Sequence, residues 1–140
     1  MLPLHRSPHL TAIRYGIASI WLFHGLFAKL LGLIPRQQAI VGRVLGTDHS
    51  RSATAVIGVV EILMAFWIIS GKWPRWCAAA VTLMLAGMNT FELTFARDLL
   101  LAPAWMVGAN TLLAGMVWYV ALSDRDDGRN SPEGPTAEAP

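Results

Sequence analysis

The chain has one cysteine, Cys77, which excludes an internal disulfide and a C-x-x-C redox pair. A small apolar packing role is left for it. Charge is also scarce. Asp, Glu, Lys and Arg make up 14% of the 140 residues, against about 25% in ordinary soluble domains. Of the four histidines, only His24 falls in an apolar run, while His5, His9 and His49 lie in a tail or a loop. No two share a helix face, which argues against bis-histidine haem ligation within one chain, and no metal site is expected. Glycine-rich nucleotide loops, a nucleophile elbow and H-E-x-x-H are all missing, so no residue stands out as catalytic.

Apolar residues are plentiful: 54% of the chain, with a mean hydropathy of +0.47. They fall in four runs, 10–33, 53–70, 76–96 and 104–122. Each has about 18–24 residues, enough for a helix to cross a bilayer. A soluble four-helix bundle is disfavoured because the runs are apolar on all sides. The fold class expected is therefore all-α, an integral membrane bundle of four transmembrane helices. The first run is too long for a signal h-region and no small-x-small site follows it, so it should stay as a helix. Trp73, Trp76, Trp105 and Trp118 lie near run ends, where indoles favour the membrane interface.

Between the first two runs, Pro35 suits the first turn of a helix. Ile40, Val41, Val44 and Leu45 then share one face, with Arg36, Gln37 and Arg43 polar. That pattern predicts a short amphipathic helix lying at the interface, ending at Gly46-Thr47-Asp48. Gly71–Pro74 is a tight turn, so helices 2 and 3 are antiparallel neighbours. Pro103 opens the last helix, while 97–103 either prolongs helix 3 to Leu101 or dips back into the membrane.

The net charge of +2 hides an asymmetry, since residues 1–122 carry +5 and the tail 123–140 carries −3. The tail, SDRDDGRNSPEGPTAEAP, is polar and rich in Pro and Gly, and is expected to be disordered, while residues 1–9 form an N-terminal tail. The basic residues need no nucleic-acid partner, because flanking Lys and Arg orient membrane proteins. With four spans both termini share a side, which carries Arg6, Arg14, Lys72, Arg75, Arg125 and Arg129. The other carries Arg36, Arg43, Arg51 and Arg97. The excess favours cytoplasmic termini.

The chain also echoes itself. FHGLFAKLLGLIP (23–35) aligns with FELTFARDLLLAP (91–103) at an offset of 68 residues with six identities, and Lys29 matches Arg97 in charge. Helices 1 and 3 run the same way, so two hairpins related by an axis along the membrane normal are suggested.

Six polar residues interrupt the apolar runs: His24, Lys29, Glu61, Asn89, Glu92 and Asn110. Counted at about 1.5 Å per residue from the helix ends, His24, Glu61, Asn89, Glu92 and Asn110 fall at similar depth in one half of the membrane. Lys29 lies nearer the surface, where its ammonium can snorkel. Charges in hydrocarbon are costly unless paired, so pairing is expected: Lys29–Glu92 first, Glu61–His24 second, and Arg97–Asp98 as a local pair at a helix end. The layer is a candidate ligand or proton site. Polar residues between membrane helices can also act only as glue, at about 0.6 kcal/mol on average, a cost that suits Asn better than an acid.

WLFHGLFAKLLGLIPRQQAIVG (21–42), IGVVEILMAFWIISG (57–71) and MNTFELTFARDLLLAP (88–103), with Asn110 beyond them, resemble the DoxX-like family of small bacterial membrane proteins. The resemblance covers about residues 10–122. It implies a four-helix protein of the bacterial inner membrane. The broader group includes the small membrane subunit of an archaeal thiosulfate:quinone oxidoreductase and partners in thiol and oxidative-stress systems. By that analogy the chain is expected to be a membrane subunit or anchor of a quinone-linked redox system, with quinone as the ligand of the layer and a soluble oxidoreductase as partner. Two alternatives stay open: a small-solute or proton carrier, for which a homo-oligomer would supply more walls, and a structural protein with no ligand.

Overall fold

The computed structural model describes the backbone of residues 7–129 and the side chains up to Ser123. Helix α1 (Pro8–Phe23) runs without a break into a π-helical segment (His24–Leu30). Then come α2 (Pro35–Leu45), α3 (Ser50–Ser70), α4 (Pro74–Phe95), a 3₁₀ turn (Arg97–Leu99) and α5 (Pro103–Arg129). Four stretches are long and apolar enough to cross a membrane: Pro8–Leu30, Ser50–Ser70, Pro74–Phe95 and Pro103–Ser123. The fold is an all-α four-helix membrane bundle, with α2 as the short helix between the first two spans.

Proline and glycine set the punctuation. Pro8, Pro35, Pro74 and Pro103 each open a helix, where the missing N–H costs nothing. Gly46 follows α2 at φ +90° and Gly71 follows α3 at φ +62°, conformations that favour glycine. Several boundaries differ from the sequence expectation. The first span closes at Leu30 rather than 33, because Gly32 turns the chain at φ +67°. α3 starts at Ser50, not 53, on a turn in which the Ser50 hydroxyl donates to the Thr47 carbonyl at 2.9 Å. Helix 3 is not prolonged to Leu101. α4 stops at Phe95, Ala96 leaves helical geometry, and the chain is extended by Leu100. Residues 123–129, expected to be disordered, continue α5, whereas 1–6 and 130–140 lie outside the described residues.

α1 packs against α3 and α5, and α4 packs against α5 and more thinly against α3. The half of the bundle far from α2 is filled mainly by apolar side chains, among them Ile17, Trp21, Ala65, Ile68, Val81 and Val117, with Arg14 of α1 buried beside them. Trp73, Trp76 and Trp105 are exposed, as interfacial anchors should be. Trp118 instead turns inward, its indole N–H donating to the Thr82 hydroxyl at 3.0 Å. On the other half, α2 lies against α3, α4 and the π-helical segment, with Ile40 and Val41 buried beneath it. That half contains the polar layer.

Candidate functional site: a polar chamber beside an apolar slot

The site begins with two glycines. A methyl group on Gly25 would sit 2.6 Å from the Gly58 carbonyl oxygen, and one on Gly58 would sit 2.7 Å from the Gly25 carbonyl oxygen. The two backbones touch, and no side chain fits between them. Contacts of this kind hold membrane helices together where lipid removes the hydrophobic drive. About one turn beyond each glycine stand Lys29 and Glu61. The Lys29 ammonium donates to Glu61 Oε1 at 2.5 Å, and the two side chains are only 6% and 2% exposed.

The π-helical winding governs where Lys29 points. The Leu31 N–H donates to the Leu26 carbonyl at 2.8 Å, a five-residue step, and the Leu33 N–H donates to the Phe27 carbonyl at 3.1 Å. Such wide turns are rare and recur at functional sites. Arg51 of α3 finishes the segment. Its guanidinium donates to the Lys29 carbonyl at 3.2 Å and the Leu30 carbonyl at 3.0 Å, oxygens that would otherwise lack partners at a helix end.

Around the Lys29–Glu61 pair is a chamber of about 120 Å³. Its polar lining is His24, Lys29, Gln37, Glu61, Glu92 and Asn110, drawn from all four spans and from α2. The sixth expected residue, Asn89, stands just behind, accepting at Oδ1 from the Asn110 amide at 2.6 Å. Lys29 is close enough to act electrostatically on His24, Glu61 and Glu92. Glu61 Oε2 and the Trp21 indole N–H are buried without a hydrogen-bond partner, and both side chains line the chamber.

A second cavity of about 240 Å³ adjoins the first, running under α2 between Ile40, Val41, Val44, Leu45, Ile57 and Phe91. Lys29, Gln37, Met88 and Glu92 line both spaces and mark where polar gives way to apolar.

The layer is thus assembled from the residues expected, but with different partners. Lys29 pairs with Glu61, not Glu92, because the glycine crossing brings the π-helical segment against α3. That also displaces the Glu61–His24 pair, and Lys29 turns inward instead of snorkelling. Asp98 does not pair with Arg97. It accepts from Arg43 of α2 at 3.0 and 3.4 Å, since adjacent residues do not face each other on a helical turn, and Arg97 is exposed. Trp21, Gly25 and Gly58 were not singled out in the sequence, and Gln37 was read only as a polar residue of the interfacial helix. A glycine about one turn before a charged residue on two successive spans, G-x-x-x-K and G-x-x-E, was the available signal.

No curated protein and no solved structure matches the chain. A model of the DoxX-like family matches residues 18–118, a span that starts in α1, ends in α5 and contains all six residues of the layer. On that match the chain belongs to the DoxX-like family.

Proposed function

We propose that the chain is a membrane subunit or anchor of a quinone-linked redox system, placed in a bacterial inner membrane with both termini in the cytoplasm and served by a soluble oxidoreductase. The quinone ring occupies the polar chamber and its tail starts in the apolar slot. One observation carries this: a polar space of about 120 Å³ lies beside an apolar space of about 240 Å³, with four lining residues in common. A cavity of about 150 Å³ is known to hold a benzene ring, so a chamber of about 120 Å³ with the slot beside it is of the order that one ring head needs. The slot matches an aliphatic chain, and such amphiphiles dissolve in the bilayer that surrounds the protein.

The rival roles fit less well. A carrier needs a continuous polar path across the bundle, and here Ile17 and Trp21 of the apolar core separate the buried Arg14 at the far end from His24 of the chamber. A layer of glue alone would satisfy its own polar atoms, and Glu61 Oε2 and Trp21 Nε1 are left over.

The test is extraction into native nanodiscs followed by mass spectrometry. Wild type should retain about one quinone per chain. Val44→Trp, which fills the slot, should fold and lose it. Wild type that carries no more quinone than an unrelated four-span protein overturns the proposal.

A further inference from the structure

The tryptophans divide by burial. Trp73, Trp76 and Trp105 are exposed. Trp67 and Trp118 are half-buried, and each has a partner within the chain. The Trp67 N–H donates to the Lys72 carbonyl at 2.9 Å, and the Trp118 N–H to the Thr82 hydroxyl at 3.0 Å. Trp21 is more buried than any of these, only 3% exposed, yet its N–H has no partner among the described residues. Buried indole N–H groups ordinarily find an acceptor, and a buried donor left without one is costly. A phenylalanine could join the same apolar core without that cost.

Two other buried side-chain atoms lack partners, Arg36 Nε and Glu61 Oε2. Arg36 lines neither cavity, and the Glu61 carboxyl is already held by Lys29 through its other oxygen. Trp21 lines the chamber but not the slot, so its N–H meets the head of an amphiphile and not its tail. An indole N–H only donates. The head must therefore bring an acceptor.

We propose that the Trp21 indole N–H donates to a carbonyl oxygen of the ring head, and so selects ring compounds that carry such an acceptor over apolar ones of the same shape. Trp21 is a specificity-determining residue of the amphiphile site described above, on which the proposal rests. The selection does not depend on the protonation of Glu61 or Glu92, since the donor does not titrate.

The experiment is equilibrium binding of a decyl-tailed benzoquinone and of decylbenzene to the full chain in nanodiscs, with empty nanodiscs as the blank. The two ligands share a ring and a tail and differ in the carbonyl oxygens. Wild type should prefer the quinone. Trp21→Phe keeps an aromatic ring and removes the N–H. It should weaken the quinone about fivefold, the worth of one hydrogen bond between uncharged groups, and leave decylbenzene within about twofold. Equal weakening of both ligands makes Trp21 a packing residue, which overturns the selection and leaves the amphiphile site standing. No binding of the quinone by wild type overturns both. If Trp21→Phe does not fold, the indole protons of isotope-labelled wild type decide, with Trp21 assigned by elimination through Phe variants of the other tryptophans. Its proton should move downfield with the quinone and not with decylbenzene, and the absence of that difference overturns the proposal.

Discussion

Residues 23–35 and 91–103 start alike and end differently. In both, the first two phenylalanines lie on the outer surface as ring pairs, Phe23–Phe27 at 5.5 Å and Phe91–Phe95 at 6.3 Å. In both, the alanine that follows, Ala28 or Ala96, is fully buried. Then they part. The first segment winds as a π-helix and carries Lys29 into the bundle, while the second leaves helical geometry at Ala96 and puts Arg97 on the surface. The divergence starts at the third position, where Gly25 touches α3 and its counterpart Leu93 makes no such crossing. A matched pattern of residue types fixes which faces are apolar. Where a cation ends up depends on how closely a neighbouring helix can approach.

The contrast is most sharply broken by removing the two cations in turn. Lys29→Met leaves Glu61 buried without its partner and should cost about 3–5 kcal/mol, read as thermal unfolding in nanodiscs. Arg97→Met should stay within about 0.5 kcal/mol. Equal losses would mean that the echo is functional as well as formal. Adding Glu61→Met to Lys29→Met should restore most of the stability, since an apolar pair of similar volume can replace a buried ion pair. A smaller effect is expected from exchanging the third position. Gly25→Leu overfills the crossing and should cost about 1–3 kcal/mol, whereas Leu93→Gly should lose about 1 kcal/mol in helix propensity. The smallest concerns the link between the two segments. Arg43 and Asp98 are about half exposed, so Arg43→Ala should change stability by only about 0.2–1 kcal/mol. That difference should fade in high salt, which unfolding curves at two ionic strengths would show.

Much of the molecule was legible because hydrocarbon is a strict solvent. It forces apolar runs of one length, so the four spans could be counted, and it makes each charge conspicuous, so His24, Glu61 and Glu92 could be placed at one depth. Pro35 and Pro103 marked helix starts for a local reason that needs no tertiary context. The pairing was not legible. Lys29 meets Glu61 where the glycine crossing brings a π-helical segment against α3, and nothing in HGLFAKL distinguishes that winding from an ordinary helix. Gln37 was read as the wet face of an interfacial helix. It lines the chamber because α2 lies over the bundle, a matter of docking angle that periodicity does not carry. Trp118 sits near a run end but bonds Thr82, a partner 36 residues away.

The apolar packing of the half opposite α2 makes the bundle one-sided. On the proposed reading, an amphiphile in the leaflet on the α2 side would lie level with the slot, whereas one in the other leaflet would lie level with the core around Ile17, Val81 and Val117 and would first have to flip across the bilayer. An amphiphile site so placed would sample only one of the two lipid pools, and the composition of that leaflet would set its occupancy.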